Sequence, residues 1–295
     1  MKPLIFSLFE ENTLADSVAK GLEADRGKIL RRRFPDGETY LRVEENVKGR
    51  DIVVVDSLDQ PDEKILPLLF FSDTVKELGA RSIGLVAPYL AYMRQDKRFR
   101  PGEAVTSNCF AGLISKYFDW LVTLDPHLHR HKTLDEIYSI PNSVVSAADS
   151  IVEWIGSQVD NPLLIGPDEE SKQWVVQIAD ALDAPNIVLE KTRLGDRTIE
   201  LTFPDLAAYK DHTPVLVDDI ISTATTMIAS LQELKKEKFH PAVCIGVHGI
   251  FAGDAFKKLK SAGAERIVTC NTVPHESNKI DISAPLCEGI LQQLI

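Results

Sequence analysis

The stretch from Thr213 to Met227, TPVLVDDIISTATTM, sets two adjacent carboxylates and a run of hydroxyl side chains between an apolar segment and a helical one. Val215 to Val217 form an apolar run of the kind found in a central parallel strand, and Ile228, Leu231 and Leu234 follow at helical spacing. Between them, Ser222, Thr223, Thr225 and Thr226 stand at the start of a helix. Backbone N–H groups there are unpaired and partly positive, a setting that accepts phosphate. Asp218 and Asp219 would repel phosphate, but they can accept hydrogen bonds from ribose hydroxyls or hold Mg2+ through water. The combination suits a phosphorylated sugar. The alternative is an ordinary strand-to-helix turn with solvated acids and a Ser or Thr cap. The turn has no glycine at Ala224 or Thr225, so a left-handed residue there would be strained.

Five other clusters follow or join apolar runs. Arg31 to Arg42 (RRRFPDGETYLR) reads as a hairpin turning at Pro35-Asp-Gly37. Phe34 is either core or an aromatic face for a purine, with Asp36 and Glu38 as acceptors for base or ribose. Pro88 to Glu103 crowds Arg94, Lys97, Arg98 and Arg100 into one loop after the strand ending at Ala87, where open α/β sheets bind ligands and cations can clamp a polyphosphate. Leu121 to His131 (LVTLDPHLHRH) ends another strand. Zinc on His127, His129 and His131 is a weak pattern for this spacing, and His127 on phosphate or Mg2+ is the better assignment. Leu163 to Lys172 (LLIGPDEESK) places Asp168 at a helix start, either complementing the dipole or serving Mg2+. Lys191-Thr-Arg-Leu-Gly-Asp-Arg197, separating two strand-like runs, is expected to be a mobile cationic hairpin that turns at Gly195-Asp196.

The elements that must carry these clusters alternate along the chain. Apolar runs at 52–55, 83–87, 121–124, 163–165, 187–189, 215–217, 243–247 and 267–269 are separated by helical patterns, the signature of α/β units with parallel sheets. With 295 residues and 44% hydrophobic content, two medium domains are expected, divided at a hinge formed by Ile140-Pro-Asn-Ser143. The domains would span 1–143 and 144–281, with 282–295 returning to the first. A net charge of −11 and the lack of a long basic run argue against nucleic acid or an anionic membrane as partner. No signal peptide or membrane span is evident, so a cytoplasmic location is expected. Cys109, Cys244, Cys270 and Cys287 are far apart in apolar surroundings and are expected to be reduced core thiols.

Phe34-Pro-Asp-Gly-Glu38, Arg94-Gln-Asp-Lys-Arg98, Asp125-Pro-His127, Gly166-Pro-Asp168, Lys191-Thr-Arg193 and Val217-Asp-Asp-Ile-Ile-Ser-Thr223 occur in an order and spacing that resemble the ribose-phosphate pyrophosphokinases over nearly the whole chain. The wording is closer to archaeal-type members. The resemblance implies an α/β protein of two phosphoribosyltransferase-like domains, each a central mainly parallel sheet flanked by helices. It implies transfer of the diphosphoryl group of ATP to the C1 hydroxyl of ribose 5-phosphate, with Mg2+ as cofactor. Phe34, Asp36 and Glu38 would hold adenosine across a subunit boundary, with Arg94, Gln95, Asp96 and His127 also on the ATP side. His127 and Asp168 would engage Mg2+. Asp218 and Asp219 would take the ribose hydroxyls, Ser222, Thr223, Ala224, Thr225 and Thr226 the 5-phosphate, and Lys191 and Arg193 the reacting phosphates. A homo-oligomer built from dimers is implied as well. A catalytically weak or regulatory nucleotide-binding relative is the alternative, against which Lys191, Arg193, His127, Asp218 and Asp219 speak. A phosphoribosyltransferase acting on a base would not need Phe34 and Arg94.

Overall fold

The computed structural model describes residues 2–9, 13–194, 198–202 and 207–294; for Glu170, Gln173, 190–194 and 198–202 it describes the backbone alone. The chain divides into two compact units, Met1–Ser146 with Ile282–Ile295, and Ala147–Asp281.

The first unit opens with β1 (Leu4–Phe6), α1 (Thr13–Gly21) and β2 (Asp25–Arg26), followed by the hairpin strands β3 (Ile29–Arg33) and β4 (Thr39–Val43). Then come β5 (Asp51–Val55), α2 (Pro61–Glu77), β6 (Ser82–Ala87), α3 (Thr106–Tyr117), β7 (Trp120–Leu124) and β8 (Asn142–Val145). Among the described residues, six strands pair in parallel in the order β2-β1-β5-β6-β7-β8. Ile52 to Val55 are wholly buried, since a central strand is covered on both faces. Each such side chain stabilises the fold by about 1.5–3 kcal/mol.

The second unit runs α4 (Ala148–Gln158), β9 (Pro162–Gly166), α5 (Lys172–Leu182), β10 (Asn186–Val188), β11 (Glu190–Leu194), β12 (Thr198–Thr202) and β13 (Thr213–Ile221). It continues with α6 (Thr225–Lys236), β14 (Val243–Gly249), α7 (Ala255–Ser261), β15 (Arg266–Cys270) and β16 (Asn278–Ile280). Its described strands form a parallel sheet in the order β10-β9-β13-β14-β15-β16, with β11 and β12 as a separate antiparallel pair. The chain then returns to the first unit as α8 (Ser283–Gln293). Gly289 permits the return: a Cβ there would lie 2.9 Å from side-chain carbons of Val122 and Val145 on β7 and β8. Ser143 Oγ donates to Gln292 and accepts from Gln293, at 3.0 and 2.8 Å.

Two expectations are corrected. Ile140 to Ser143 is not a hinge leading into a helix; Asn142–Val145 is the edge strand β8, whose Ser143 and Val144 pair with Val122 and Thr123. Cys109 is exposed, while the other three cysteines are buried. It lies on the face of α3 opposite the one that buries Phe110, Ala111 and Ile114. Lys191 and Arg193 lie within β11, opposite Leu201 and Ile199 of β12, in an antiparallel pair that matches the expected hairpin. Its expected turn, residues 195–197, falls outside the described residues. Among the described residues, no helix is long and apolar enough to cross a membrane.

Candidate active site

In the second unit, β9 and β13 pair in parallel from Thr213 with Pro162 to Leu216 with Ile165, so their carboxyl ends lie side by side. Asp168 follows one and Asp218 and Asp219 lie toward the end of the other. Burial, and then the Asp219 and Asp168 carboxylates, push the Asp218 carboxyl well above the usual carboxylate range. The Asp219 amide donates to Asp218 Oδ1 at 3.0 Å and pulls the other way, without prevailing. Such a group gains from an incoming hydroxyl donor or cation.

Past Ile221 the chain turns sharply. Ala224 has φ 59° and ψ 13°, so the turn keeps the left-handed backbone despite the alanine, at a cost of about 1–2 kcal/mol. Ala224 is the residue from which α6 starts; no side chain caps the helix, and its first turn carries no acid. Thr223 and Thr225 hydroxyls lie 3.0 Å apart. The loop after β14 holds this turn: the amides of Ile250 and Phe251 donate to Ile221 O at 3.0 and 2.9 Å, and that of Ala252 to Ser222 O at 3.0 Å. Phe251 is itself left-handed, φ 43°, and its ring lies 4.5 Å from that of His275. Sequence reasoning missed this support; the signal was the small, glycine-bounded stretch Gly249-Ile-Phe-Ala-Gly253 just after a buried strand.

Asp168 is fixed by a short 3-10 turn, Glu169–Ser171, with reciprocal side-chain and backbone capping between Asp168 and Ser171. Gly166 makes room, because a Cβ there would meet Ser171 Oγ at 2.5 Å. Glu169 is exposed and pairs with Lys172 at 2.9 Å. Lys191 and Arg193 lie two apart on β11, opposite Leu201 and Ile199 of β12. Their side chains fall outside the described residues.

In the first unit, Phe34 to Glu38 close the β3–β4 hairpin. The Phe34 amide donates to Glu38 O at 2.8 Å, Gly37 takes φ 95°, and the Glu38 amide donates to Asp36 Oδ1 at 3.2 Å. Phe34 is 39% exposed, which removes the core alternative for it. The Arg32 guanidinium lies 4.6 Å from its ring centre and 4.4 Å from that of Tyr40. Arg94 is exposed in the loop after β6. Gln95 accepts from Thr106 Oγ1 at 3.1 Å, and the buried Asp96 is bound at both oxygens by Arg130 Nη1, at 2.8 and 2.9 Å. After β7, Asp125 is buried with φ 40°, and the His127 and His129 rings are 3.6 Å apart, edge to face. His131 pairs instead with Glu136 at 3.0 Å. The sequence gives no sign of this role for Arg130; a buried aspartate in the neighbouring loop needs such a cation. Among the described residues, no group of three or more His, Cys, Asp or Glu side chains is arranged to hold a metal ion.

A family model described as the N-terminal domain of ribose phosphate pyrophosphokinase matches residues 3–117, and a phosphoribosyl transferase domain model matches 133–284. The chain belongs to the ribose-phosphate pyrophosphokinase family. Within that family it is 32% identical over 283 residues to the ribose-phosphate pyrophosphokinase of Methanobrevibacter smithii, covering 92% of this chain and 94% of that one. It is 33% identical over 291 residues to the same-named protein of Methanothermobacter thermautotrophicus, covering 98% and 100%. Both relatives are archaeal, in keeping with the motif wording. The fold matches the crystal structure of phosphoribosylpyrophosphate synthetase from Mycobacterium smegmatis with a TM-score of 0.86 at 24% identity, over 100% of this chain and 99% of that one.

Proposed function

We propose that this chain transfers the β,γ-diphosphoryl group of ATP to the C1 hydroxyl of ribose 5-phosphate, giving phosphoribosyl pyrophosphate and AMP. The observation that carries it is the end of β13, where the desolvated Asp218, with Asp219 beside it, precedes a left-handed turn of hydroxyl residues opening an uncapped helix. Asp218 and Asp219 accept from the ribose hydroxyls. Ser222, Thr223, Thr225 and Thr226, with the backbone through Ala224, take the 5-phosphate at the positive end of α6.

Phe34, Asp36 and Glu38 hold adenosine, with Phe34 offering the exposed aromatic face; Arg94 and Gln95 engage the base or phosphates. Each unit offers a donor suited to Mg2+ carried largely by phosphate oxygens and water: the His127 imidazole in the first, and in the second the Asp168 carboxylate, whose acidic surroundings favour a cation. When bound there, Mg2+ would neutralise charge on the transferring group. Attack on a phosphorus ringed by anionic oxygens then asks the protein chiefly for alignment and positive charge, which Lys191 and Arg193 supply. A homo-oligomer built from dimers and a cytoplasmic location belong with this function.

Purified protein with Mg2+, ATP and ribose 5-phosphate should release AMP, and release should require the sugar. Absence of AMP, with nucleotide binding intact, would favour the regulatory alternative.

A further inference from the structure

Resting on the nucleotide-binding role proposed for Arg94, Gln95 and His127, we propose that Asp96 and Arg130 form a positioning pair that ties the loop after β6 to the loop after β7, and that Asp96 does not itself contact the nucleotide. The Asp96 side chain is 2% exposed and the Arg130 side chain 42%. One guanidinium nitrogen straddles both carboxylate oxygens, so the acid is engaged before any ligand arrives. A free carboxylate would also repel the polyphosphate beside it. Arg130 makes a second contact with the same loop, its guanidinium carbon 5.4 Å from the centre of the Phe99 ring.

The rest of the loop is fastened as well. Ser107 N donates to Gln95 O at 3.3 Å and Thr106 Oγ1 to its side chain, fixing Gln95 to the start of α3. Glu103 accepts the amides of Phe99 and Arg100, at 2.8 and 3.0 Å. Arg94, exposed, is thus presented from a braced loop, and Arg130 supplies the brace that reaches the histidine loop. Loosening it would let Arg94 and His127 drift relative to one another, and misplacement of about 1 Å can cost about 100-fold in rate.

The test is steady-state kinetics on full-length wild type, Asp96→Asn, Arg130→Gln and the double variant, with ATP and ribose 5-phosphate varied separately and thermal midpoints recorded. Each single variant should raise KM for ATP by about 10- to 100-fold while leaving KM for ribose 5-phosphate within about twofold. The double variant should be no worse than the worse single one, because both changes break the same link. Unchanged KM for ATP in Arg130→Gln, or effects that multiply in the double variant, would overturn the pairing. Were Arg130→Gln to unfold, Arg130→Lys keeps the charge while losing the planar guanidinium that reaches both Asp96 and the Phe99 ring, and should still raise KM for ATP; wild-type values there would also overturn it. A wild type without sugar-dependent AMP release would instead defeat the functional assignment, separately from the pair.

Discussion

Both units order their sheets with the second strand outermost, then the first, third, fourth, fifth and sixth, and each inserts an antiparallel hairpin between its second and third strands, yet the third strands end in opposite chemistry. β5 leads through Asp56 to α2, and β13 leads through Asp218 and Asp219 to α6. Each helix starts from a left-handed residue, Gln60 at φ 50° and Ala224 at φ 59°. In the first unit the acid is consumed internally: Asp56 accepts from Ser7 Oγ and Leu8 N, at 2.7 and 2.8 Å. Lys64 fills the neighbouring space, donating to Ser57 O at 2.9 Å and pairing with Asp59. The helix then begins with Pro61, which has no N–H to offer, followed by Asp62 and Glu63, which repel an anion. In the second unit the same position carries Thr225 and Thr226 and no acid. One topology therefore appears twice, and in the proposed function the residues after a single strand decide which copy takes a sugar phosphate.

The sharpest way to break this contrast lies in the second unit's hairpin. Lys191→Ala or Arg193→Ala should lower kcat by roughly 10³ or more, as removal of a closing cation does, with smaller effects on ribose 5-phosphate binding. Equal turnover in variant and wild type would remove β11 from the reaction. Next in size, Asp219→Asn should raise KM for ribose 5-phosphate by about 10- to 100-fold, the worth of one charged hydrogen bond. Asp56→Asn should leave that KM unchanged. A matching rise in Asp56→Asn would mean that the two strand ends are not functionally distinct.

Much of this contrast can be read from sequence, for a physical reason. Ile52 to Val55, Ile83 to Ala87 and Val243 to Val247 are buried on both faces, so their continuous apolar runs announce central strands. Asp218 and Asp219 stand out because neighbouring acids at the end of such a run are costly without a partner. The edge strands were hidden: β2 has two residues, and β8 has Asn142 half-buried and Val144 exposed, so neither shows a sustained pattern. The Asp96 to Arg130 contact joins side chains 34 positions apart and exists only once β6 and β7 are neighbours. The missing glycine marked Ala224 and Thr225 as positions of strain, but which of them is left-handed follows only from the backbone, since an alanine does not advertise that conformation as a glycine does.

A third prediction concerns pH. Burial pushes the Asp56 carboxyl up to about 7, outweighing its hydrogen bonds from Leu8 and Ser7 and the nearby Lys64. Its unfolded value is about 3.9, so between these limits the native state binds more protons than the unfolded one, and stability from this group falls as pH rises. Wild type should lose up to a few kcal/mol from pH 4 to 8 relative to Asp56→Asn, read as the difference in urea midpoints. A pH-independent difference would show that Asp56 does not titrate in this range. The smallest effect is expected at the other helix start. Ala224→Gly relieves the left-handed strain and should stabilise by about 1 kcal/mol, visible as a higher thermal midpoint, whereas a lower one would place the strain elsewhere.

The central claim is that ribose 5-phosphate is held at the end of β13 and not at the matching end of β5. A crystal structure with ribose 5-phosphate and a non-hydrolysable ATP analogue tests it most directly. The account predicts the 5-phosphate against the backbone and hydroxyls of Ser222 to Thr226, with the ribose hydroxyls on Asp218 and Asp219. Sugar phosphate found beside Asp56 and Lys64, or away from both strand ends, would contradict it.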